Sequence, residues 1–502
     1  MAEKTMAAPV GAPAKQTPAS YWIHTIICLV ITFGFGQLPP FGPVTPLGMN
    51  ILGIFLGVLY GWIFIEIVWP SLMGLLALML IGGMRPIQVL NQSFGHPRVQ
   101  MAFFIFVFCA AIEFYGLSKF VSLWFITRKF VRGKPWLFTY MFLGSIFILG
   151  GLTSASPAAI IGWSILYGVC ETCGYKKGEG YPTMMVFGIV FAAQLGMSLI
   201  PFKQAALTIF GAYENMAQEL VSKGQNLPVT VDYLPYMVLA IIICAIASVV
   251  FILLGKYIFK PDMNKLMDLD IDKLDSEGNL NLTHTQKIIL FFLFLLVVLL
   301  LAPSLMPKTF FLTKILNAIG NTGIVILLVT IMCAMKVNGK TLLNFKVMSD
   351  RGVIWAVVLL LGVVQPLTWA MAQPNSGITI FLTESLKPVF DYSTPFTFAI
   401  FIGLVSVLLT QVMNNGAVGV AMVPVVTTYC LSTGSSPFLP LVMVVMSVHL
   451  AFLTPAASAS AALLHGNDWS DSRQIWKTAP LVIMISWITI LLVTMGIGSF
   501  IF

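Results

Sequence analysis

The sequence is poor in charge. Only 9% of its 502 residues are Asp, Glu, Lys or Arg, against about 25% in an ordinary soluble domain. So few ionised side chains cannot clothe a globule of this length, and water-soluble enzyme classes are excluded. Histidine is scarce too, at 5 residues, and HExxH, GxSxG and paired intramembrane carboxylates are missing. Nothing in the chain therefore points to an enzyme. The 7 cysteines are an odd set lying mostly in apolar segments, unlike the disulfide framework of a short secreted chain. Cys170 and Cys173 form a CxxC, but no second pair completes a zinc site.

What is present is apolar. Hydrophobic residues make up 58% of the chain, with 26 Met and 38 Phe. Stretches long enough to cross a hydrocarbon layer of about 30 Å lie near 22–38, 45–64, 68–84, 99–117, 233–257, 286–302, 318–335, 353–371 and 479–501. The fold expected is all-α, a polytopic protein of about 11 transmembrane helices in a lipid bilayer. Residues 1–20, rich in Ala and Pro, read as a disordered cytoplasmic tail. The polar run 259–287 reads as a cytoplasmic linker between a first membrane half, 21–258, and a second, 288–502.

Four apolar segments are interrupted. Residues 136–172 break at Gly150–Pro157, and residues 395–431 break at Gln411–Gly416. Each reads as a re-entrant hairpin with a polar tip. After each comes a broken span: 182–213, interrupted at Ser198–Gln204, and 437–464, interrupted at Thr454–Ser458. Irregular backbone at membrane depth is tolerated only inside protein or beside a water-filled cavity. Interrupted segments in corresponding positions of two halves point to the site of a secondary transporter built from two inverted repeats.

Charge then fixes an expected orientation. With the N-terminus inside and both hairpins re-entrant, 20 of the 27 Lys and Arg fall on the cytoplasmic side and 6 outside. This bias predicts a cytoplasmic (inner) membrane protein with its C-terminus outside. The net charge of +8 is an orientation signal and implies no nucleic-acid partner. The remaining basic residue, Lys203, lies inside an apolar stretch. A charge there costs about 2.5–3.5 kcal/mol or more and needs a partner or a cavity.

Helix breaks suit anions. Each new helix start carries unpaired N–H groups and the positive end of its dipole. Candidate ligands are Thr153, Ser154, Ser156, Asn414, Asn415 and Gly416 at the tips, with Ser198, Lys203, Gln204, Thr454, Ser458 and Ser460 at the facing breaks. Lys203 is read as a fixed positive charge, either for a substrate carboxylate or for a site that a cation would otherwise fill. Glu113 is expected to pair with a lysine of the basic stretch 119–134 or to pack between helices. His449 is a candidate proton carrier or a satisfied core histidine. Gln365-Pro366 reads as a helix kink.

The chain resembles the divalent anion/sodium symporter family, the dicarboxylate, citrate and sulfate carriers. The likeness runs through AAIEFYGLSKFVSLW (110–124), FGIVFAAQLGMSLIPFKQ (187–204), TQVMNNGAVGVAMVPV (410–425) and AFLTPAASASA (451–461). The family's paired Ser-Asn-Thr tips become Ser154-Ala155-Ser156 and Asn414-Asn415-Gly416, and both of its Thr-Pro-Pro-Asn breaks are lost. The resemblance implies a homodimeric carrier of a small organic anion, most simply a di- or tricarboxylate, with a moving transport half. It implies cation-coupled symport or exchange, with Na+ as the coupling ion and no other cofactor. One sodium site would lie near Asn415 and Ser458, and Lys203 would stand in place of the first-repeat site. The basic stretch 118–135 resembles the family's amphipathic linking arm. An anion channel, or a carrier of an inorganic anion such as sulfate, is the alternative reading.

Overall fold

Caps set many of the helix boundaries. Pro opens a helix readily because its missing N–H is one of the donors that would be unpaired anyway, and here it stands at the first or second position of several helices. Thr45 caps the helix beginning at Pro46 by accepting from the Gly48 N–H at 3.1 Å. Capping boxes at Thr283–Gln286 and Thr394–Thr397 open two helices of the second half. The computed structural model describes residues 18–267, 282–307, 309–390 and 392–501. Most of the expected tail, 1–17, and the middle of the linker, 268–281, lie outside the described residues.

The first half runs α1 (Pro18–Gly34), α2 (Pro46–Phe64), α3 (Val68–Leu80), α4 (Pro86–Gln92), α5 (Pro97–Phe114), α6 (Leu117–Ile126), α7 (Pro135–Leu152), α8 (Ala155–Thr172), α9 (Gly180–Gly196), α10 (Gln204–Ser222) and α11 (Tyr233–Ile258). The second runs α12 (His284–Leu305), α13 (Phe311–Ala334), α14 (Phe345–Gly352), α15 (Trp355–Met371), α16 (Ile378–Phe390), α17 (Pro395–Leu409), α18 (Asn415–Thr433), α19 (Phe438–Val448), α20 (Ala459–His465) and α21 (Ser472–Gly496). A short β-hairpin, β1 (Lys336–Val337) with β2 (Lys340–Thr341), joins α13 to α14. Its Asn338 and Gly339 both take positive φ, as a tight hairpin turn demands.

The second half repeats the element order of the first. A helical hairpin (α7–α8, then α17–α18) is preceded by a helix (α6, α16) and followed by a broken span (α9–α10, α19–α20) and a long helix (α11, α21). Among the described residues, nine helices are long and apolar enough to cross a membrane, and a tenth span is counted when α14 and α15, bent by 80°, are joined. Counting α3 and each broken span as a crossing, and leaving out the hairpin legs, gives the eleven expected.

Three spans differ from expectation. The stretch 68–84 yields only the 13 residues of α3, about 20 Å at 1.5 Å per residue, because the Gly82-Gly83 pair ends it, Gly83 taking φ +92°. The span at 318–335 starts earlier, at Phe311, and turns at Gly320, where φ is 65°. The arm at 118–135 is helical only as α6 and a single turn at Lys129–Val131.

The hairpin α7–α8 packs on α9 at backbone distance. A Cβ on Gly150 would stand 2.3 Å from the Ala193 carbonyl oxygen, and one on Gly196 would stand 2.2 Å from that of Phe147. Small residues at such crossings let membrane helices approach closely. Gly196→Val should therefore force α7 from α9 and cost about 1–3 kcal/mol, read as a fall of several degrees in Tm of the detergent-solubilised protein. Gly144→Val, at a position with open space around it, is the control; equal Tm values for the two variants would contradict the close crossing.

Candidate substrate site

The first tip lies between the last turn of α7 and Ser154, the N-cap of α8. The last carbonyls of a helix have no partner within it. Here they are taken by the facing break. Lys203, only 3% exposed, donates its Nζ to the Leu152 oxygen at 2.6 Å and the Thr153 oxygen at 2.5 Å. Gln204 Nε2 donates to the same Thr153 oxygen at 3.0 Å. Hydrogen bonds made by a charged donor contribute about 1.5–3 kcal/mol each, so two of them offset much of the cost of burying the ammonium. Gln204 itself holds φ 51°, a left-handed backbone whose strain of about 1–3 kcal/mol persists because both neighbouring side chains anchor the break to the tip.

Neither N-terminus at this tip is capped by a side chain: Ser154 before α8 and Lys203 before α10 both lack a capping bond. Ser154 and Ser156 are half-buried, and the free donors of α8 start beside them. Thr153 and Ser198 hydroxyls, by contrast, bond their own helices, at Leu149 and Leu195. They are not available to a ligand in this arrangement.

The second tip is built differently. Asn414 accepts from the Gly416 N–H at 2.9 Å and so caps α18, and Ser458 caps α20 by accepting from the Ala461 N–H at 3.1 Å. Gln411 bridges hairpin and break: its Nε2 donates to the Val407 and Leu450 oxygens at 2.8 and 2.9 Å, and its Oε1 accepts from the Leu453 N–H at 3.1 Å. Thr410 donates to the Val448 oxygen at 2.9 Å and to Asn415 Oδ1 at 3.0 Å. The Thr454 hydroxyl is held by the Gln411 carbonyl at 2.5 Å.

A buried glutamine ties the first repeat to the second tip and its facing break. Gln194, on α9 and 1% exposed, donates Nε2 to Ser458 Oγ at 2.7 Å and Ser460 Oγ at 2.9 Å. Its Oε1 accepts from Asn415 Nδ2 at 3.4 Å. The structure thus brings Asn415, Ser458 and Ser460 together around Gln194, and Lys203 with Gln204 onto the first tip. α10 packs closely on α18, where Ile209 fills the space beside Gly419.

The citrate transporter family model matches residues 51–448, a range that includes both hairpins and the first broken span. The chain belongs to the citrate transporter family. A sodium-dependent dicarboxylate transporter of Staphylococcus saprophyticus is 23% identical to the transporter over 463 residues, covering 89% of this chain and 85% of its own. An uncharacterized transporter of Synechocystis sp. is 26% identical over 147 residues, or 29% of this chain and 23% of its own. The solved YdaH transporter of Alcanivorax borkumensis shares the fold at a TM-score of 0.54 and 13% identity, covering 96% of this chain and 99% of that one.

Around the site, helices of the hairpin half meet the rest of the transporter through polar contacts. Arg98 on α5 pairs with Glu214 on α10 and donates to the Tyr233 hydroxyl of α11. Asn215 Nδ2 donates to the Gln365 carbonyl at 2.7 Å. The Gln365 side chain is fully buried, packs against Gly211, and has no hydrogen-bond partner among the described residues. α15 continues as a helix through Pro366. Glu113 stands in the last turn of α5. His449 is fully buried, with Nδ1 against the Val445 oxygen at 2.6 Å and Nε2 without a hydrogen-bond partner among the described residues. Just outside α5, His96 is pushed down to about 4, chiefly by burial and then by the Arg98 charge. It stays neutral at physiological pH and cannot switch the Arg98 contact there. A cavity of about 270 Å³ lined by Thr32, Gln37, Asn50 and Ala77 lies among α1, α2 and α3 and includes no tip residue.

Gln194 and Gln411 were not among the candidates. Both lie inside stretches that carry the family likeness, and the polar candidates were drawn from the tips and breaks beside them. Gln194→Leu should strand the Asn415 amide N–H and take from Ser460 the donor that holds its hydroxyl, a loss of about 1–3 kcal/mol for a buried unsatisfied group. Thermal denaturation in detergent checks this. A variant as stable as the parent would remove Gln194 as the joint.

Proposed function

We propose that the transporter is a secondary active permease of the cytoplasmic membrane that moves a di- or tricarboxylate such as citrate. The observation that carries this reading is the convergence of helix N-termini and one buried ammonium on the two hairpin tips. Uncapped N–H groups at α8 and α10, the dipoles behind them and the Lys203 charge make the first tip an attractive place for a carboxylate. The second tip supplies a neutral donor through the Asn415 amide, which spends one N–H on Gln194. A second carboxylate of the same anion would then be read by this amide. The family model and the dicarboxylate carrier among the relatives support this substrate class.

The mode of movement is an elevator. α7–α11 with α17–α21 form the moving half, and α2, α5, α12, α13 and α15 form the fixed one. Polar contacts cross the boundary at Arg98–Glu214 and Asn215–Gln365, and contacts of this kind can be exchanged as one body slides past the other. The helices α6 and α16 precede the two hairpins and act as the arms that connect the bodies. The N-terminus faces the cytoplasm by the distribution of basic residues, and the working unit is a homodimer, as the resembled family implies.

Proteoliposomes preloaded with citrate or succinate should take up the same radiolabelled anion saturably, and faster than empty vesicles do. Uptake that rises without saturation, with no effect of internal anion, would replace the carrier with a channel. Competition by sulfate and not by carboxylates would move the substrate to an inorganic anion.

A further inference from the structure

The resembled family implies sodium at both hairpin tips, where backbone carbonyls and side-chain oxygens would be its ligands. A hard cation binds through oxygen lone pairs. At the first tip, the Leu152 and Thr153 oxygens are already bonded by the Lys203 ammonium, with Gln204 adding a second donor to Thr153. Across the break, the Ser198 oxygen receives the Tyr236 hydroxyl at 2.5 Å. At the second tip, Val407 and Leu450 oxygens are held by the Gln411 amide, Val448 by Thr410, and Ala451 by Ser458 at 2.9 Å. The residues present do not fit sodium at either tip.

We infer that this transporter works without Na+, because Lys203 and Gln411 fill with their own N–H donors the carbonyl cages that a coupling sodium would occupy. The two repeats reach the same end by different chemistry. Lys203 supplies a cation that never leaves, so both carbonyls of the first cage already carry a donor and a second positive charge is repelled. Gln411 supplies a neutral donor, and a cation entering there must break its bonds to two carbonyls and one backbone N–H. Charge compensation for the anion therefore travels with the protein. A carrier whose fixed charge is balanced by its substrate returns most readily with another anion aboard, which favours exchange over sodium-driven uptake. The inference rests on the carboxylate reading only for its transport arm.

The test uses the purified protein without substrate first. Sodium chloride is titrated against choline chloride at constant ionic strength while Tm is followed. No saturable shift is expected, and one would overturn the inference. Citrate and succinate are then added in each salt, and counterflow is measured in proteoliposomes under the same pair. Equal responses in both salts are expected, and a response that requires Na+ would overturn the inference. No anion response in either salt, with Tm still indifferent to Na+, would reject the carboxylate reading and uphold the filled cages. Lys203→Ala opens the first cage and should acquire a saturable Na+-dependent rise in Tm. Gln411→Ala asks the same of the second cage and serves where the first variant does not fold. Variants as indifferent to Na+ as the parent would show that the two side chains are not what excludes it.

Discussion

A helix that stops inside a bilayer leaves carbonyl and N–H groups that lipid cannot satisfy, and the centre of this molecule is organised around that constraint. The chain interrupts its apolar segments at two hairpin tips and two breaks. The carbonyl ends are met by Lys203, Gln204, Thr410 and Gln411. Two of the N-terminal ends are met by Asn414 and Ser458, and the two at the first tip have no side-chain cap. Stability at the C-terminal ends and a positive field at the N-terminal ends thus come from the same breaks.

Lys203 ties these effects together. As N-cap of α10 it stands at the positive end of that helix, an unfavourable place for a cation by itself. Its stem reaches back so that the ammonium meets the negative end of α7 instead. The result is a compact positive region bounded by carbonyls on one side and by uncapped helix starts on the other. Two cationic features that would repel each other alone become tolerable when an anion lies between them, a physical reason for the anion site proposed at this tip.

Much of this was legible before any coordinates. Hairpins, broken spans and the buried lysine follow from polar clusters inside apolar runs, and their order in the two halves gave the repeat. The shortfall of α3 was passed over because apolar residues continue past Leu80, whereas the backbone already turns extended at Ile81, ahead of the Gly82-Gly83 pair. Gln194 escaped notice because its partners lie 221, 264 and 266 residues away; on its own helix it is one polar residue in an apolar run. The Arg98–Glu214 contact likewise joins distant segments. Local pattern reveals where the backbone breaks, whereas the wiring between breaks is a tertiary property.

The central claim is that a permanent charge at Lys203 holds the anion. Calorimetric titration of citrate in sodium-free buffer, comparing the parent protein with Lys203→Gln, tests it most directly, since glutamine can still donate to the tip carbonyls but carries no charge. Binding weakened at least about tenfold, or about 1.4 kcal/mol, with Tm little changed, is the predicted result. Citrate bound as tightly by the variant as by the parent would contradict the account.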